Sequence, residues 1–103
     1  MSAAGKSYGI EVLEGPDAGT RIRLARAKAT IGRGQTDVVL HDADVSRLHA
    51  MLEIQVDGSV LLRDLGSTNG IYVGSKRVAE WKWKTGESVR VGQSLLRLAE
   101  LSL

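Results

Sequence analysis

Residues 49–65 read HAMLEIQVDGSVLLRDL. Apolar side chains recur at every second position through Ala50, Leu52, Ile54 and Val56, and a further apolar run follows at 60–62. A period of two marks a strand with one buried face. Asp57-Gly58, between the runs, is a hairpin dipeptide, because glycine accepts the positive φ that such turns require. The stretch therefore predicts two antiparallel strands, 49–56 and 59–65.

The same pattern continues outward in both directions. YGIEVL (8–13) puts Ile10 and Val12 on one face, and TRIRL (20–24) puts Ile22 and Leu24 inward with Arg21 and Arg23 outward. GIYV (70–73), ESVRV (87–91) and SLLRLAEL (94–101) are further strands, with shorter ones at KATI (28–31) and DVVL (37–40). Turn-forming clusters separate them at 14–19, 32–35, 66–70, 73–76, 84–86 and 92–93. LARAKA (24–29) is too short to hold a helix by itself. Many short strands at close spacing imply an all-β sandwich or barrel. We expect one domain over 8–103, preceded by a disordered segment at 1–7.

Composition excludes several functions. The chain has 103 residues, no cysteine and two histidines, so disulfides, thiolate metal sites and a His-rich metal site are not expected. Lys and Arg number 14 against 12 Asp and Glu, a net charge of +2 with the basic residues dispersed. There is no basic stripe interleaved with aromatics, so nucleic acid is not expected as a partner. No apolar run reaches the roughly 20 residues that span a bilayer, and MSAAGKSYG lacks the apolar stretch of a signal peptide. The expectation is a soluble cytoplasmic protein, without membrane insertion, or a domain of a larger one.

Four loops carry the chemistry. AGKS (4–7) resembles the end of a phosphate-binding loop, but the glycine needed five residues earlier would precede Met1. GRGQTD (32–37) begins like a dinucleotide loop, yet Asp37 stands where the third glycine belongs. Gly32 fits a turn whose torsions other residues resist. Arg33, between two glycines, has no neighbouring side chain to shield its guanidinium fork, which suits bidentate contact with phosphate or carboxylate. In DADVSRLHAMLEI (42–54), Ser46 and His49 are spaced like a nucleophile and base, with Asp42, Asp44 or Asp64 as orienting acids. No nucleophile-elbow pattern surrounds Ser46, so His49 reads better as a loop brace. DLGSTNG (64–70) offers Ser67, Thr68 and Asn69 as donors from a loop tip, with Gly70 in the turn.

IGRG, then SRLH, then DLGSTNGIYV, in that order and spacing, resemble a forkhead-associated (FHA) domain over residues 8–101 or so. KTGESVRVG (84–92) is similar to that family's penultimate hairpin, with Gly86-Glu87 where Gly-Asp is common. The resemblance implies an all-β FHA-like sandwich of about eleven short, mainly antiparallel strands, with binding loops at one end. It implies phosphothreonine recognition without catalysis or cofactor. Arg33 resembles the arginine that grips the phosphate, and Ser46 the serine that also binds it. Arg47 matches a position contacting phosphate or nearby peptide, and Thr68 one beside the phosphate and threonine methyl. Asn69 resembles the asparagine that bonds the peptide main chain. Gly32, His49 and Gly70 match loop-shaping positions.

A phosphothreonine carries roughly −1.5 to −2 charges and three acceptor oxygens, which suits two arginines plus hydroxyl and amide donors. The expected partner is a Thr-phosphorylated protein or peptide, in trans or within the parent polypeptide, downstream of a Ser/Thr protein kinase. The alternative is a phosphate-independent FHA-like scaffold or oligomerisation module. Asp44, two residues before Ser46, and Ser67 are candidate specificity residues. Asp44, with Asp42 nearby, is expected to disfavour an acidic residue three positions after the phosphothreonine. Trp81 and Trp83 in EWKWK (80–84) share a strand face, either packing under the sandwich or forming an exposed patch.

Overall fold

The computed structural model describes residues 7–101, which form eleven strands and no helix. In order they are β1 (Ser7–Glu14), β2 (Arg21–Arg23), β3 (Lys28–Gly32), β4 (Val38–Val39), β5 (Ala50–Ile54), β6 (Val60–Asp64), β7 (Ile71–Val73), β8 (Lys76–Val78), β9 (Glu80–Trp83), β10 (Ser88–Val91) and β11 (Ser94–Leu101). Two sheets result, ordered β2-β1-β11-β10-β7-β8 and β4-β3-β5-β6-β9. The β3–β4 pairing is parallel and the other paired strands run antiparallel.

The alternation dictates the sandwich. Tyr8, Ile10 and Val12 of β1 point inward with Leu96 and Leu98 of β11 and Val89 and Val91 of β10. Ala29, Ile31, Ala50, Leu52, Val60 and Leu62 face them from the other sheet. A one-residue slip in any of these strands would turn its apolar set to solvent, so burial itself holds the register.

The structure corrects the sequence reading at strand ends. Val56 does not continue the alternation of β5. It lies in the turn and is 95% exposed. The chain leaves the ladder at Ile54 because the Gln55 and Gly58 amides close a turn, donating to the Ser59 and Gln55 carbonyls. Gly58 supplies the positive φ. The expected turn at 73–76 shrinks to Gly74-Ser75, since Lys76 already belongs to β8. Of the segment 1–7 set apart as disordered, residues 1–6, with most of AGKS, lie outside the described residues. Ser7 is instead the first residue of β1, opposite Leu101.

Trp81 and Trp83 both lie on β9, facing the core. Trp83 is fully buried and donates its indole N–H to the Glu87 carbonyl at 2.9 Å. Trp81 packs half-buried against the core, its N–H 3.3 Å from a Glu87 carboxylate oxygen. The same oxygen accepts the Lys84 amide at 3.0 Å. Glu87 thus holds the 84–87 turn together, and the tryptophans serve packing rather than an exposed patch.

Candidate functional site

Three loops converge at one end of the sandwich: 32–37 after β3, 40–49 before β5, and 64–70 between β6 and β7. They enclose a shallow cavity of about 360 Å³ lined by Arg33, Ala43, Asp44, Val45, Ser46, Arg47, Thr68 and Asn69.

The first two loops are joined by their backbones. The Arg33 amide donates to the Ser46 carbonyl at 3.0 Å, and the Gly34 amide to the Arg47 carbonyl at 3.1 Å. This approach explains Gly32, and it corrects the reading from torsions. Gly32 is not among the positive-φ glycines. A Cβ there would instead lie 2.1 Å from the Arg47 carbonyl oxygen, a backbone atom that cannot swing away.

Arg33 is exposed but aimed. Its Nε–H donates to the Val45 carbonyl at 3.0 Å. That bond orients the guanidinium and leaves its two terminal nitrogens without an acceptor among the described residues. Arg47 likewise has no acidic partner among the described residues, whereas Arg21, Arg63, Arg90 and Arg97 are all paired with glutamates. Two arginines therefore border the cavity against one acid, Asp44, a balance that favours an anion.

The third loop is latched across the cavity. The Thr68 amide donates to the Ser46 hydroxyl at 3.2 Å, so that oxygen accepts while its proton stays free to donate. The Asn69 side-chain amide donates to the Asp44 carbonyl at 2.8 Å. Thr68 and Asn69 are exposed at the rim.

His49 is completely buried beneath these residues. Its Nδ1 accepts the Ser46 amide at 3.0 Å, so the ring proton sits on Nε2, which donates to the Gly70 carbonyl at 2.8 Å. Both ring nitrogens are engaged with backbone, and neither is available to take a proton from the Ser46 hydroxyl. The spacing that resembles a nucleophile and base has another cause, the bracing of one loop by another.

Ser67 departs from expectation. Its hydroxyl is turned inward, donating to the Asp64 carboxylate and accepting the Gly70 amide at 2.9 Å. The Asp64 carboxylate also takes the Gly66 and Ser67 amides at 3.1 Å each. Ser67 therefore shapes the loop rather than serving as a donor at its tip. Gly70 turns the chain with φ +81°.

Asp42 is also relocated. It is 1% exposed, so its charge does not face the cavity. One carboxylate oxygen accepts the Asp44 amide at 3.0 Å. The other takes the Gln93 amide at 2.8 Å and the Ser94 hydroxyl at 2.7 Å. It ties the 40–49 loop to the β10–β11 turn of the opposite sheet. Asp44 remains at the cavity, with one carboxylate oxygen held by the Gln93 side chain at 2.7 Å. Farther out, His41 bonds Asp17 through backbone and ring at 2.7 and 2.8 Å. Burial raises the Asp17 carboxyl, but the His41 hydrogen bonds outweigh it and hold it below the usual aspartate range.

Sequence reasoning missed Asp42, Asp64 and Val45 as supports. Asp42-x-Asp44 carried a usable signal, since an aspartate often bonds the amide two residues on. The Val45 contribution is a carbonyl, which no side-chain pattern reveals. No described cluster of His, Asp and Glu could hold a metal, and no described helix is long and apolar enough to cross a membrane.

Comparison with known proteins places the whole described fold. The family model for "inner membrane component of T3SS, cytoplasmic domain" matches residues 11–102. The chain is 42% identical over 94 residues to FHA domain-containing protein FhaA of Mycobacterium tuberculosis, a match covering 89% of this chain and 17% of FhaA. It is 39% identical over 92 residues to the oxoglutarate dehydrogenase inhibitor of Corynebacterium diphtheriae, covering 88% of this chain and 64% of that protein. Less than two thirds of each curated relative is thus spanned. A structure solved for structural and functional analysis of phosphothreonine-dependent FHA domain interactions aligns with TM-score 0.82 and 33% identity. That alignment covers 94% of this chain and 99% of the other.

Proposed function

This chain belongs to the forkhead-associated domain family, in the branch matched by the cytoplasmic-domain model above, and from that premise we propose that it is a phosphothreonine-reading adaptor module. One observation carries the reading. Arg33 is oriented through its Nε–H and lines a cavity shared with Arg47, Ser46, Thr68 and Asn69.

In this reading Arg33 grips two phosphate oxygens through its fork, and Ser46 donates to the third. Arg47 adds charge beside them. Thr68 stands by the phosphothreonine and Asn69 by its main chain. The loops are latched to one another by their own hydrogen bonds, so little conformational freedom is left to lose on binding. Each charge-assisted hydrogen bond contributes about 1.5–3 kcal/mol. Losing two would weaken binding roughly a hundredfold or more.

The domain acts by binding rather than catalysis and needs no cofactor. Its partner is a Thr-phosphorylated segment, in trans or elsewhere on the parent polypeptide, written by a Ser/Thr protein kinase. We place it in the cytoplasm, within a larger regulatory protein, as one module whose first strand begins at Ser7. Support comes from the relatives' names, one an FHA domain-containing protein and one an enzyme inhibitor.

The test is titration with matched peptides bearing phosphothreonine, phosphoserine or threonine. The phosphothreonine peptide should bind tightest. Equal affinities would overturn the proposal in favour of a phosphate-independent scaffold or oligomerisation module.

A further inference from the structure

Arg77 lies on β8, next to the site yet outside its cavity. A Cβ built on Gly70 would meet Arg77 Nε at 2.3 Å, Cζ at 2.8 Å and Cδ at 3.0 Å. The guanidinium therefore rests flat against Gly70, the residue after Asn69. Tyr72 stands opposite Arg77 in the β7–β8 ladder, and Arg90 opposite Tyr72 on its other side, all on the outer face of the six-stranded sheet.

The two arginines of this row differ in one respect. Arg90 is engaged with Glu14 at 2.9 Å and the Gln93 carbonyl at 3.2 Å. Arg77 is exposed and, among the described residues, has neither an acidic partner nor a hydrogen-bond acceptor. Its head packs over the bare Cα of Gly70, a place that a side chain at that position would deny it. An exposed cation one residue from Asn69 is open to an anion arriving along that flank.

We propose that Arg77 is a specificity-determining second anion seat on the Asn69 flank of the pocket. It reads an acidic or phosphorylated side chain of the same bound peptide. Arg77 packs on Gly70, the residue after Asn69, so the residue read flanks the phosphothreonine on the Asn69 side. The proposal rests on the phosphothreonine reading above. It is separate from Asp44, which borders the opposite loop and repels anions there.

The experiment is a scan of one phosphothreonine peptide, placing Glu, phosphoserine, Gln or Lys singly at each flanking position, against wild type, Arg77→Gln and Arg77→Glu. In wild type, Glu should improve affinity over Gln at one position by about two- to fivefold, as for an exposed ion pair. Phosphoserine, with its greater charge, should improve it more. The gain should shrink as salt rises. Arg77→Gln should remove the gain at that position alone, and Arg77→Glu should transfer it to Lys. A gain that survives Arg77→Gln overturns the proposal, as does a variant that weakens Gln, Glu and Lys peptides equally. If the variants fold poorly, the Arg77 Nε–H resonance of the wild-type domain decides. It should shift with the Glu peptide and stay with the Lys peptide, and equal shifts would overturn the assignment. Loss of phosphate-dependent binding by wild type itself would instead remove the phosphothreonine reading, and this inference with it.

Discussion

The His49 imidazole joins Ser46 to Gly70: its Nδ1 accepts the Ser46 amide at 3.0 Å and its Nε2 donates to the Gly70 carbonyl at 2.8 Å. Two loops more than twenty residues apart in sequence are held by one buried ring. Replacing it with alanine leaves a cavity and strands two backbone groups. His49→Ala should cost about 2–5 kcal/mol in urea unfolding and also weaken phosphopeptide binding. A variant of unchanged stability would contradict the brace.

Arg33→Ala and Ser46→Ala should behave differently. Neither side chain fills the core, so the unfolding free energy should change by less than about 1 kcal/mol. Phosphopeptide affinity should fall roughly tenfold or more for each, measured by calorimetry. Arg33→Lys should not restore it. Lysine offers neither the fork nor an Nε–H for the Val45 carbonyl.

Asp44 borders the cavity, and its carboxylate should repel a like charge on the peptide. A phosphothreonine peptide library should show aspartate disfavoured three residues after the phosphothreonine, with basic or apolar residues preferred. Asp44→Ala should relax that bias. A library in which aspartate wins there would sink this assignment.

Two pH effects are expected, from different groups. Binding should weaken as pH falls through about 6, where phosphate takes up its second proton. Stability should fall at lower pH. The Arg97 guanidinium, with Arg21, holds Glu11 below the usual glutamate range, and hydrogen bonds from Thr30 do the same for Asp37. A lowered carboxyl pKa stabilises the folded state above the unfolded value and is lost as pH falls through the folded one. Thermal melts should therefore be flat near neutrality and decline below about pH 4.5. Glu11→Gln should flatten part of that decline.

Trp83→Ala should cost about 3–5 kcal/mol, since the indole is fully buried and satisfies the Glu87 carbonyl. Trp81→Ala should cost less, because its ring is only half-buried. Chemical denaturation separates the two, and equal losses would contradict the difference in burial.

By itself the sequence determined the strand pattern, the turns and the family. Alternation and Gly-containing turns are local signals, written by residues two to four positions apart, and they placed β1, β5, β6 and β11 to within a residue or two. IGRG, SRLH and STNG identified the loops that meet at the cavity. Only tertiary structure decided which side chains of those loops face it. Ser67 and Thr68 are neighbours with similar chemistry, yet one is buried on Asp64 and the other reaches the rim. Asp42 and Asp44 divide in the same way. Gly32 looked like a torsional requirement and proved to be a contact requirement, set by the carbonyl of Arg47. The reason is physical. The bonds that orient the site join Thr68 to Ser46 and Asn69 to Asp44, 22 and 25 residues apart, and no local pattern encodes them. They form only when burial of the two apolar faces has brought the loops to one end of the sandwich.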